Sequence, residues 1–203
     1  MNIEEFVALA MKGEVLKNLD RTGWILAGVD KSQNESVAEH SFGTTLISLL
    51  LARQCEQDGF KIDIGRVLTM AVLHDLAESE TSDVVIDRDV PDSHVQLRNK
   101  IEAETKAMSE ILGPLGNLGE LLLDRWDEIQ NQTTLEARVV ASSDIIDMLI
   151  HAVALERSGV VPSSLAGFFE SARPRLEKLD IATAVNIYKT LYREHENHLE
   201  SEI

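Results

Sequence analysis

The chain has 203 residues, of which 44% are hydrophobic and 4% aromatic, so its core must be built mainly from aliphatic side chains. Its 19 lysines and arginines face 35 aspartates and glutamates, a net charge of −16 that argues against duplex nucleic acid as a partner. The single cysteine, Cys55, excludes an internal disulfide framework and fits a reducing compartment.

The N-terminal segment is acidic and amphipathic, without the basic and apolar regions of a signal peptide. The longest apolar runs, such as LISLLLA, are too short to span a bilayer. We therefore expect a cytoplasmic protein that makes no membrane contact.

Strand-like alternation of β-branched residues is absent, whereas apolar residues recur at helical spacing. The sequence therefore predicts an all-α fold of about seven to nine helices with no sheet. The first two helices are predicted over residues 3–15 and 16–24, and a polar loop follows over residues 27–35.

Two capping patterns define the next helices. Ser36 and Glu39 form a capping-box pattern, which opens a helix that ends before Gly59. Asp63 can cap a helix that we predict to be continuous over residues 64–79.

In the second half we predict a loop over residues 80–91 and five helices, at residues 93–112 (opened by Ser93 and Gln96), 118–129, 133–157 (opened by Thr133 and Glu136), 163–172 and 180–198. Pro174 is expected to separate the last two helices or to kink their junction. Because the connections are short, residues 1–203 should form a single bundle-like domain. Its motif-bearing core is expected at about 16–160, with helices from residues 161–203 packed on it.

Ionisable residues interrupt the apolar face of the helix predicted over residues 64–79. On a continuous helix, Asp75 and Glu78 extend the apolar stripe, and His74 lies at its edge. Buried carboxylates need compensation, and a divalent metal supplies it economically because carboxylate oxygen and imidazole nitrogen are both good ligands. The alternative is an ion-pair cluster on the helix surface, but the core stripe favours a functional site.

A second polar intrusion lies on the helix predicted over residues 133–157, where Asp144, Asp147 and His151 share a stripe among aliphatic residues. A third site is His40, which the capping box places in the first turn of its helix. Helix N-termini favour anions, so this end could also face a phosphate.

Simpler interpretations stand beside these. Taken alone, His151 is more simply interpreted as a core histidine whose hydrogen bonds are satisfied. Asp147 can be a buried hydrogen-bond acceptor, and Trp24 can be an ordinary core residue. His195 and His198 near the C-terminus favour a solvated helix end over a second metal site.

The order His40, then His74-Asp75, then Asp144 resembles the H…HD…D pattern of the HD superfamily of metal-dependent phosphohydrolases. The surrounding motifs resemble the branch that holds the YfbR-like 5′-deoxynucleotidases and the HD domain-containing protein 2 group. These motifs are RTGW at 21–24, ESVAEHS at 35–41, HDLAE at 74–78, and Ser82-Asp83. The resemblance continues through Trp126 and the helix after Asp144, and so covers most of the chain.

The resemblance implies a role for each matching residue. Glu78 handles protons beside the metal, and Asp83 helps to orient the attacking water. Arg21 binds the phosphate, and Trp24 lies near the sugar. The implied metal ligands are His40, His74, Asp75 and Asp144.

The sequence departs from the family pattern at two positions. Ser82 stands where a glycine is usual, and His151 where a glutamine is more frequent. Neither departure removes a motif residue. Two histidines and two carboxylates suggest one first-row metal ion such as Mn, Co, Fe or Ni, rather than a closed tetrahedral zinc site.

The resemblance implies a 5′-nucleotidase that hydrolyses (deoxy)nucleoside 5′-monophosphates to nucleoside and phosphate, in a branch whose members are commonly homodimers. One alternative is another HD phosphohydrolase, acting on nucleoside triphosphates, cyclic nucleotides or guanosine polyphosphates. Another is a non-catalytic helical module that binds a nucleotide or a partner protein. Glu78 and Asp83, placed beside four ligand-type residues, favour a hydrolase because a binding module has no need of them.

Overall fold

The computed structural model describes residues 2–86 and 92–202. Within these ranges the fold is all-α without a strand, as predicted, and its only bridge is isolated. Eight helices have ten residues or more, two are shorter, and one turn is 3₁₀-helical at Gly113–Leu115. The helices are α1 (Ile3–Leu16), α2 (Thr22–Leu26), α3 (Val37–Gln57), α4 (Ile64–Leu73), α5 (Glu78–Thr81), α6 (Ser93–Leu112), α7 (Asn117–Asn131), α8 (Leu135–Arg157), α9 (Pro162–Leu179) and α10 (Ala182–Ser201).

Helix α8 lies at the centre of the fold. It packs against α3, α4, α7, α9 and α10, and α9 and α10 also pack against each other. Helix α8 carries buried residues on most of its faces, as expected of a helix enclosed by its neighbours. Ile145, Ile146 and Leu149 are among its fully buried side chains. No helix of the described ranges is both long and apolar enough to cross a bilayer.

The N-terminal cap of α3 is the predicted capping box. Ser36 Oγ accepts a hydrogen bond from the Glu39 amide, and the Glu39 carboxylate accepts one from the Ser36 amide at 2.7 Å. The helix ends at Gln57, and Gly59 follows with a φ of 89°. The Glu39 carboxylate serves the cap, and its neighbour His40 is fully buried in the core.

The helix predicted over residues 64–79 is wrong, because it breaks after Leu73. The ring of His74 donates from Nδ1 to the carbonyl oxygen of Ala71 at 2.8 Å. That carbonyl would accept from the Asp75 amide if the α-helix continued. Tight turns with hydrogen bonds between residues three apart follow before the single turn of α5. Because of the break, Asp75 lies in a turn and Glu78 begins a separate helix, so they do not continue the apolar stripe of α4.

The second helix also differs from its prediction over residues 16–24, because it begins only at Thr22. The preceding residues are held by the segment before α3. The Arg21 amide donates to the carbonyl oxygen of Glu35 at 3.0 Å, and the Val37 amide donates to that of Leu19 at 2.8 Å. These bonds satisfy backbone groups that a helix would otherwise pair internally.

Two predicted capping boxes do not form. Thr134, rather than Thr133, caps α8, and its Oγ1 accepts from the Ala137 amide at 3.2 Å. Ser93 is the first residue of α6 instead of its cap, and no side chain caps that helix. The predicted helix ends at residues 112 and 157 are confirmed.

Pro174 lies inside α9, which continues to Leu179, so the predicted separation at this residue is wrong. Proline removes one amide donor and normally kinks or ends a helix. Here Ala172 and Leu176 are buried on either side of it, and their packing holds the helix to the core. Of the predicted loop over residues 80–91, residues 82–86 lack regular structure and residues 87–91 lie outside the described ranges.

The prediction of a solvated end for the last helix is wrong at His195, which is buried. Its Nδ1 is hydrogen-bonded to one carboxylate oxygen of Glu156, and Nδ1 of His198 is 2.6 Å from the other. The His195 ring also stacks on Phe169, with centroids 4.1 Å apart. This cluster ties α10 to α8 and α9.

Candidate active site

Four predicted ligand residues meet at one point between α3, α4 and α8. His40 comes from α3, His74 and Asp75 from the turn after α4, and Asp144 from α8. His40 Nε2 is 3.4 Å from His74 Nε2 and 3.2 Å from Asp144 Oδ1. Asp75 Oδ2 is 3.2 Å from His74 Nε2 and 3.6 Å from His40 Nε2. The fold therefore brings all four residues together, and we call them the ligand cluster.

The outer nitrogens of both rings are bound by acceptors. His40 Nδ1 donates to Asp147 Oδ2 at 2.8 Å, and His74 Nδ1 donates to the Ala71 carbonyl. Each ring therefore presents Nε2 to the cluster. Two imidazole nitrogens only 3.4 Å apart must share either a proton or a cation. The donor set of nitrogen and carboxylate oxygen fits a divalent metal ion.

Without a cation, the carboxylates beside His40 favour its protonated form. Burial and the nearby Arg21 guanidinium oppose protonation of His40, yet hydrogen bonds to Asp144 and Asp147 raise its pKa to about 10. Burial raises the pKa values of Asp75 and Asp144, but the cationic groups beside them hold both well below the usual range. A divalent cation would take the place of the proton on His40.

Glu78, the first residue of α5, is buried beside the cluster. Burial and the carboxylates of Asp75 and Asp83 raise its pKa to about 9. Its Oε2 has no hydrogen-bond partner among the described residues, and Lys100 Nζ is 3.8 Å from Oε1. At neutral pH, Glu78 is therefore a protonated carboxyl group that is free to donate.

Asp83 holds the start of α2 and faces Arg21. Its Oδ2 accepts from the Thr22 amide at 2.6 Å, and Thr22 Oγ1 donates to its carbonyl oxygen at 2.7 Å. Arg21 Nη1 is 3.6 Å from Asp83 Oδ1 and 3.5 Å from Asp75 Oδ2. The two carboxylates thereby hold the guanidinium at the edge of the ligand cluster.

Ser82 has a φ of 64°, a conformation that glycine adopts without a side-chain penalty. The usual glycine at this position therefore has a conformational reason. Serine adopts this conformation here, and Asp83 lies beside Arg21 despite the departure from the family pattern.

Trp24 is both core and cavity wall. It is 2% exposed, and its Nε1 donates to Glu35 Oε1 at 2.9 Å. Its ring lies against Phe168 and His151, with centroids 4.4 and 5.1 Å away. His151 Nδ1 is 3.9 Å from Glu35 Oε2, so His151 lies beside the same carboxylate that holds Trp24.

An open cavity of about 690 Å³ extends from the ligand cluster, a size suited to a small organic ligand. Its apolar wall includes Val84, Val85, Leu97, Ile101, Met148 and Phe168. Helices α6 and α9 contribute Lys100 and Arg175, which were not predicted as site residues. The spacing of Phe168, Ser171 and Arg175 by three and four residues is the signal that could have indicated a shared face of α9.

Comparisons with known proteins agree with this architecture. A family model described as HD domain matches residues 13–181. The protein named 5′-deoxynucleotidase HDDC2 from Dictyostelium discoideum is 31% identical over 178 residues, covering 85% of this chain and 88% of that protein. Its namesake from Danio rerio is 28% identical, covering 91% of this chain and 84% of that protein.

Among solved structures, a conserved hypothetical protein from Pyrococcus furiosus has a TM-score of 0.77 and 32% identity, covering 92% of this chain and 99% of that one. The match of the family model spans most of the chain and includes every residue of the ligand cluster. The chain belongs to the HD-domain family.

Proposed function

We propose that the protein is a metal-dependent 5′-nucleotidase that hydrolyses (deoxy)nucleoside 5′-monophosphates to a nucleoside and inorganic phosphate. The observation that carries the proposal is the convergence of the ligand cluster on a cavity, with the buried Glu78 carboxyl group beside it. The names of the relatives from Dictyostelium and Danio support the substrate class.

We assign one divalent cation, Mn, Co, Fe or Ni, to His40, His74, Asp75 and Asp144. The mixed nitrogen and oxygen donors favour these metals over a closed structural zinc site. When bound, the cation would supply Lewis acidity that acidifies water and offsets negative charge on the phosphate.

The protein's own residues then bind the ester and move protons. Arg21, held between Asp75 and Asp83, binds the phosphate oxygens. Glu78 donates its proton to the departing 5′-oxygen as the phosphorus–oxygen bond breaks. Asp83 orients Arg21 and the attacking water. The water oxygen bonds to phosphorus, and the proton that the water releases returns to the Glu78 carboxylate, so that the products are the nucleoside and hydrogen phosphate.

Trp24 packs near the sugar, because it lines the cavity and is fixed there by Glu35. An aromatic wall next to the ring favours a sugar without a 2′-hydroxyl, since a polar group buried against it would lose hydrogen bonds to water. We therefore assign a preference for 2′-deoxynucleotides to this side of the cavity.

The partner that we propose is a second copy of the chain. Phe42, Leu46 and Leu50 are exposed on α3 at intervals of four residues, so they form one apolar stripe. A two-fold axis would pair such stripes, as in most soluble oligomers. We also propose that residues 1–203 act as one domain, since α9 and α10 pack on α8.

The test is a substrate panel with product analysis. The panel contains 2′-deoxyadenosine and adenosine 5′-monophosphates, a deoxynucleoside triphosphate, a cyclic nucleotide and a guanosine polyphosphate, each with Mn²⁺ or Co²⁺ present. We expect free phosphate and nucleoside from the monophosphates, fastest from the deoxy form. Pyrophosphate or triphosphate from the nucleoside triphosphate, without turnover of monophosphates, would instead favour another HD hydrolase.

Two variants distinguish phosphate release by the assigned site from release by contaminating phosphatases. Asp75→Asn removes one charged member of the ligand cluster and should abolish phosphate release under the same conditions. Asp124→Asn changes an exposed carboxylate on α7 and should retain the wild-type rate. Equal activity in both variants would remove the catalytic assignment.

A further inference from the structure

Helix α9 forms one wall of the cavity along its length. Phe168, Ser171 and Arg175 line the cavity, and their spacing places them on a single face of the helix. Phe168 and Arg175 are about 10 Å apart along the axis, from the rise of an α-helix. Phe168 contacts Trp24, whereas Arg175 lies near Asp144, so one helix face extends from the aromatic side of the cavity to the ligand cluster.

Two arginines approach the two carboxylates of the ligand cluster. Arg21 Nη1 is 3.5 Å from Asp75 Oδ2, and Arg175 Nη2 is 3.7 Å from Asp144 Oδ2. These guanidinium groups come from α9 and from the residue before α2, and both line the cavity. The side chain of Arg175 is 36% exposed, compared with 17% for Arg21, so Arg175 is the more accessible to solvent.

The charge of the substrate can engage more than one cationic side chain in addition to the cation. A phosphate monoester carries close to two negative charges at neutral pH, because its second pKa is about 6. Arg21 already lies between two carboxylates, Asp75 and Asp83. Lys100 is engaged by the Val84 carbonyl at 2.8 Å and by Glu104 at 3.5 Å.

Arg175 lines the cavity beside Asp144 and can contribute further positive charge there. A guanidinium has five N–H donors in a planar fork, so its contact with Asp144 is compatible with donation to phosphate oxygens. We propose that Arg175 is a second phosphate-binding residue, which binds the substrate phosphate from the Asp144 side while Arg21 binds it from the Asp75 side. This assignment rests on the proposed function and adds α9 to its binding site.

Binding without turnover tests the proposal. In a Glu78→Gln parent loaded with Co²⁺, calorimetry measures the affinities for 2′-deoxyadenosine 5′-monophosphate and for 2′-deoxyadenosine. Adding Arg175→Gln should weaken nucleotide binding at least tenfold and leave nucleoside binding within twofold. Arg175→Lys should give an intermediate loss, because it keeps the charge but not the bidentate geometry.

Arg173→Gln is the matched control. Arg173 lies two residues earlier on α9, pairs with Glu177 at 3.1 Å and does not line the cavity, so neither affinity should change. The midpoint of thermal unfolding shows whether each variant is folded, and Co²⁺ affinity should stay within threefold of the parent value.

Three results would overturn the proposal. Unchanged nucleotide binding in Arg175→Gln would exclude the phosphate contact. Loss of Co²⁺ affinity would show that Arg175 positions Asp144 instead of binding phosphate. Equal losses of nucleotide and nucleoside affinity would show that Arg175 only maintains the shape of the cavity. If the parent with Arg175 intact binds no nucleotide, the proposed function itself fails, and the assignment of Arg175 fails with it.

Discussion

His40 Nδ1 donates a hydrogen bond to Asp147 Oδ2 at 2.8 Å across the interface of α3 and α8. The bond directs Nε2 of the same ring towards the ligand cluster. Gly43 lies beside this pair, and a Cβ at that position would come within 2.0 Å of Asp147 Oδ1. A carboxylate on one helix and a glycine on the other thus set the orientation of His40, and Asp147 is the buried acceptor that the sequence suggested.

Asp147→Asn should weaken divalent cation binding by about 10- to 100-fold, the usual effect of losing a carboxylate behind a histidine ligand. Asparagine can still accept a hydrogen bond but no longer carries the charge that makes the ring a strong donor to a metal. Titration calorimetry of the metal-stripped protein with Co²⁺ measures the affinity. Ser143→Ala, which removes a buried hydroxyl on α8 that donates to Val139, should change it less than threefold. A wild-type affinity for Asp147→Asn would contradict the positioning role.

Gly43→Ala should weaken cation binding without altering any charged group. Its new methyl group would displace the Asp147 carboxylate from His40, and overpacking in a tight core costs about 1–3 kcal/mol. Gly13→Ala is the control, because a Cβ there meets nothing within 4 Å and alanine favours a helix by about 1 kcal/mol. The Co²⁺ affinity and the urea concentration at the midpoint of unfolding should both fall for Gly43→Ala, and neither quantity should fall for Gly13→Ala. Equal behaviour of the two variants would show that the close approach has no consequence.

Glu78→Gln should stabilise the metal-free protein increasingly as pH rises. Burial and two neighbouring carboxylates raise the pKa of Glu78 from 4.5 to about 9 in the folded state. Between these values the unfolded chain releases the proton and the folded chain keeps it, so stability falls as pH rises. The difference at pH 7 is about 3 kcal/mol, and glutamine removes it.

Denaturation of metal-free wild type and Glu78→Gln at pH 5, 7 and 9 measures this difference. The stability advantage of the variant should be smallest at pH 5 and largest at pH 9, while its turnover is lost because glutamine has no carboxyl proton to donate. Glu102→Gln, at an exposed position on α6, should show no such trend. A constant difference at all three pH values would contradict the raised pKa.

His195→Ala should destabilise the protein by about 3 kcal/mol, because a buried carboxylate loses one of its two partners and the core loses a packed ring. The change removes one of the two histidines that bind Glu156 and also the ring stacked on Phe169. Guanidinium denaturation measures the loss. Asn197→Ala, at an exposed position on α10, should cost little. A loss below about 1 kcal/mol for His195→Ala would show that the cluster does not hold α10 in place.

The sequence predicted the features that depend on neighbouring residues. The Ser36 cap, the C-terminal ends of α3 and α8, and the four members of the ligand cluster follow from local capping patterns and from motif order. Helical periodicity also predicted the all-α fold, because aliphatic residues recur at the helical period in the long helices.

Features that depend on tertiary contacts were not predictable in this way. At the break after Leu73, the His74 ring donates to the Ala71 carbonyl oxygen, which would otherwise accept a bond within the helix. The sequence alone does not indicate this bond. The burial of His195 depends on Glu156, which lies 39 residues earlier in the chain. Arg175 reaches Asp144 only because α9 packs beside α8. The last two differences share one cause, which is that side-chain partners distant in sequence override local patterns. The first is a bond between a side chain and the backbone three residues earlier, which helical periodicity does not indicate.

The central claim is that one divalent cation, held by His40, His74, Asp75 and Asp144, is needed for phosphate release. The most direct measurement titrates metal-stripped protein with Mn²⁺ or Co²⁺ and follows phosphate released from 2′-deoxyadenosine 5′-monophosphate. The account predicts no release without the cation and a rise that saturates at one equivalent per chain. Full release from the stripped protein, or none at any cation concentration, would contradict it.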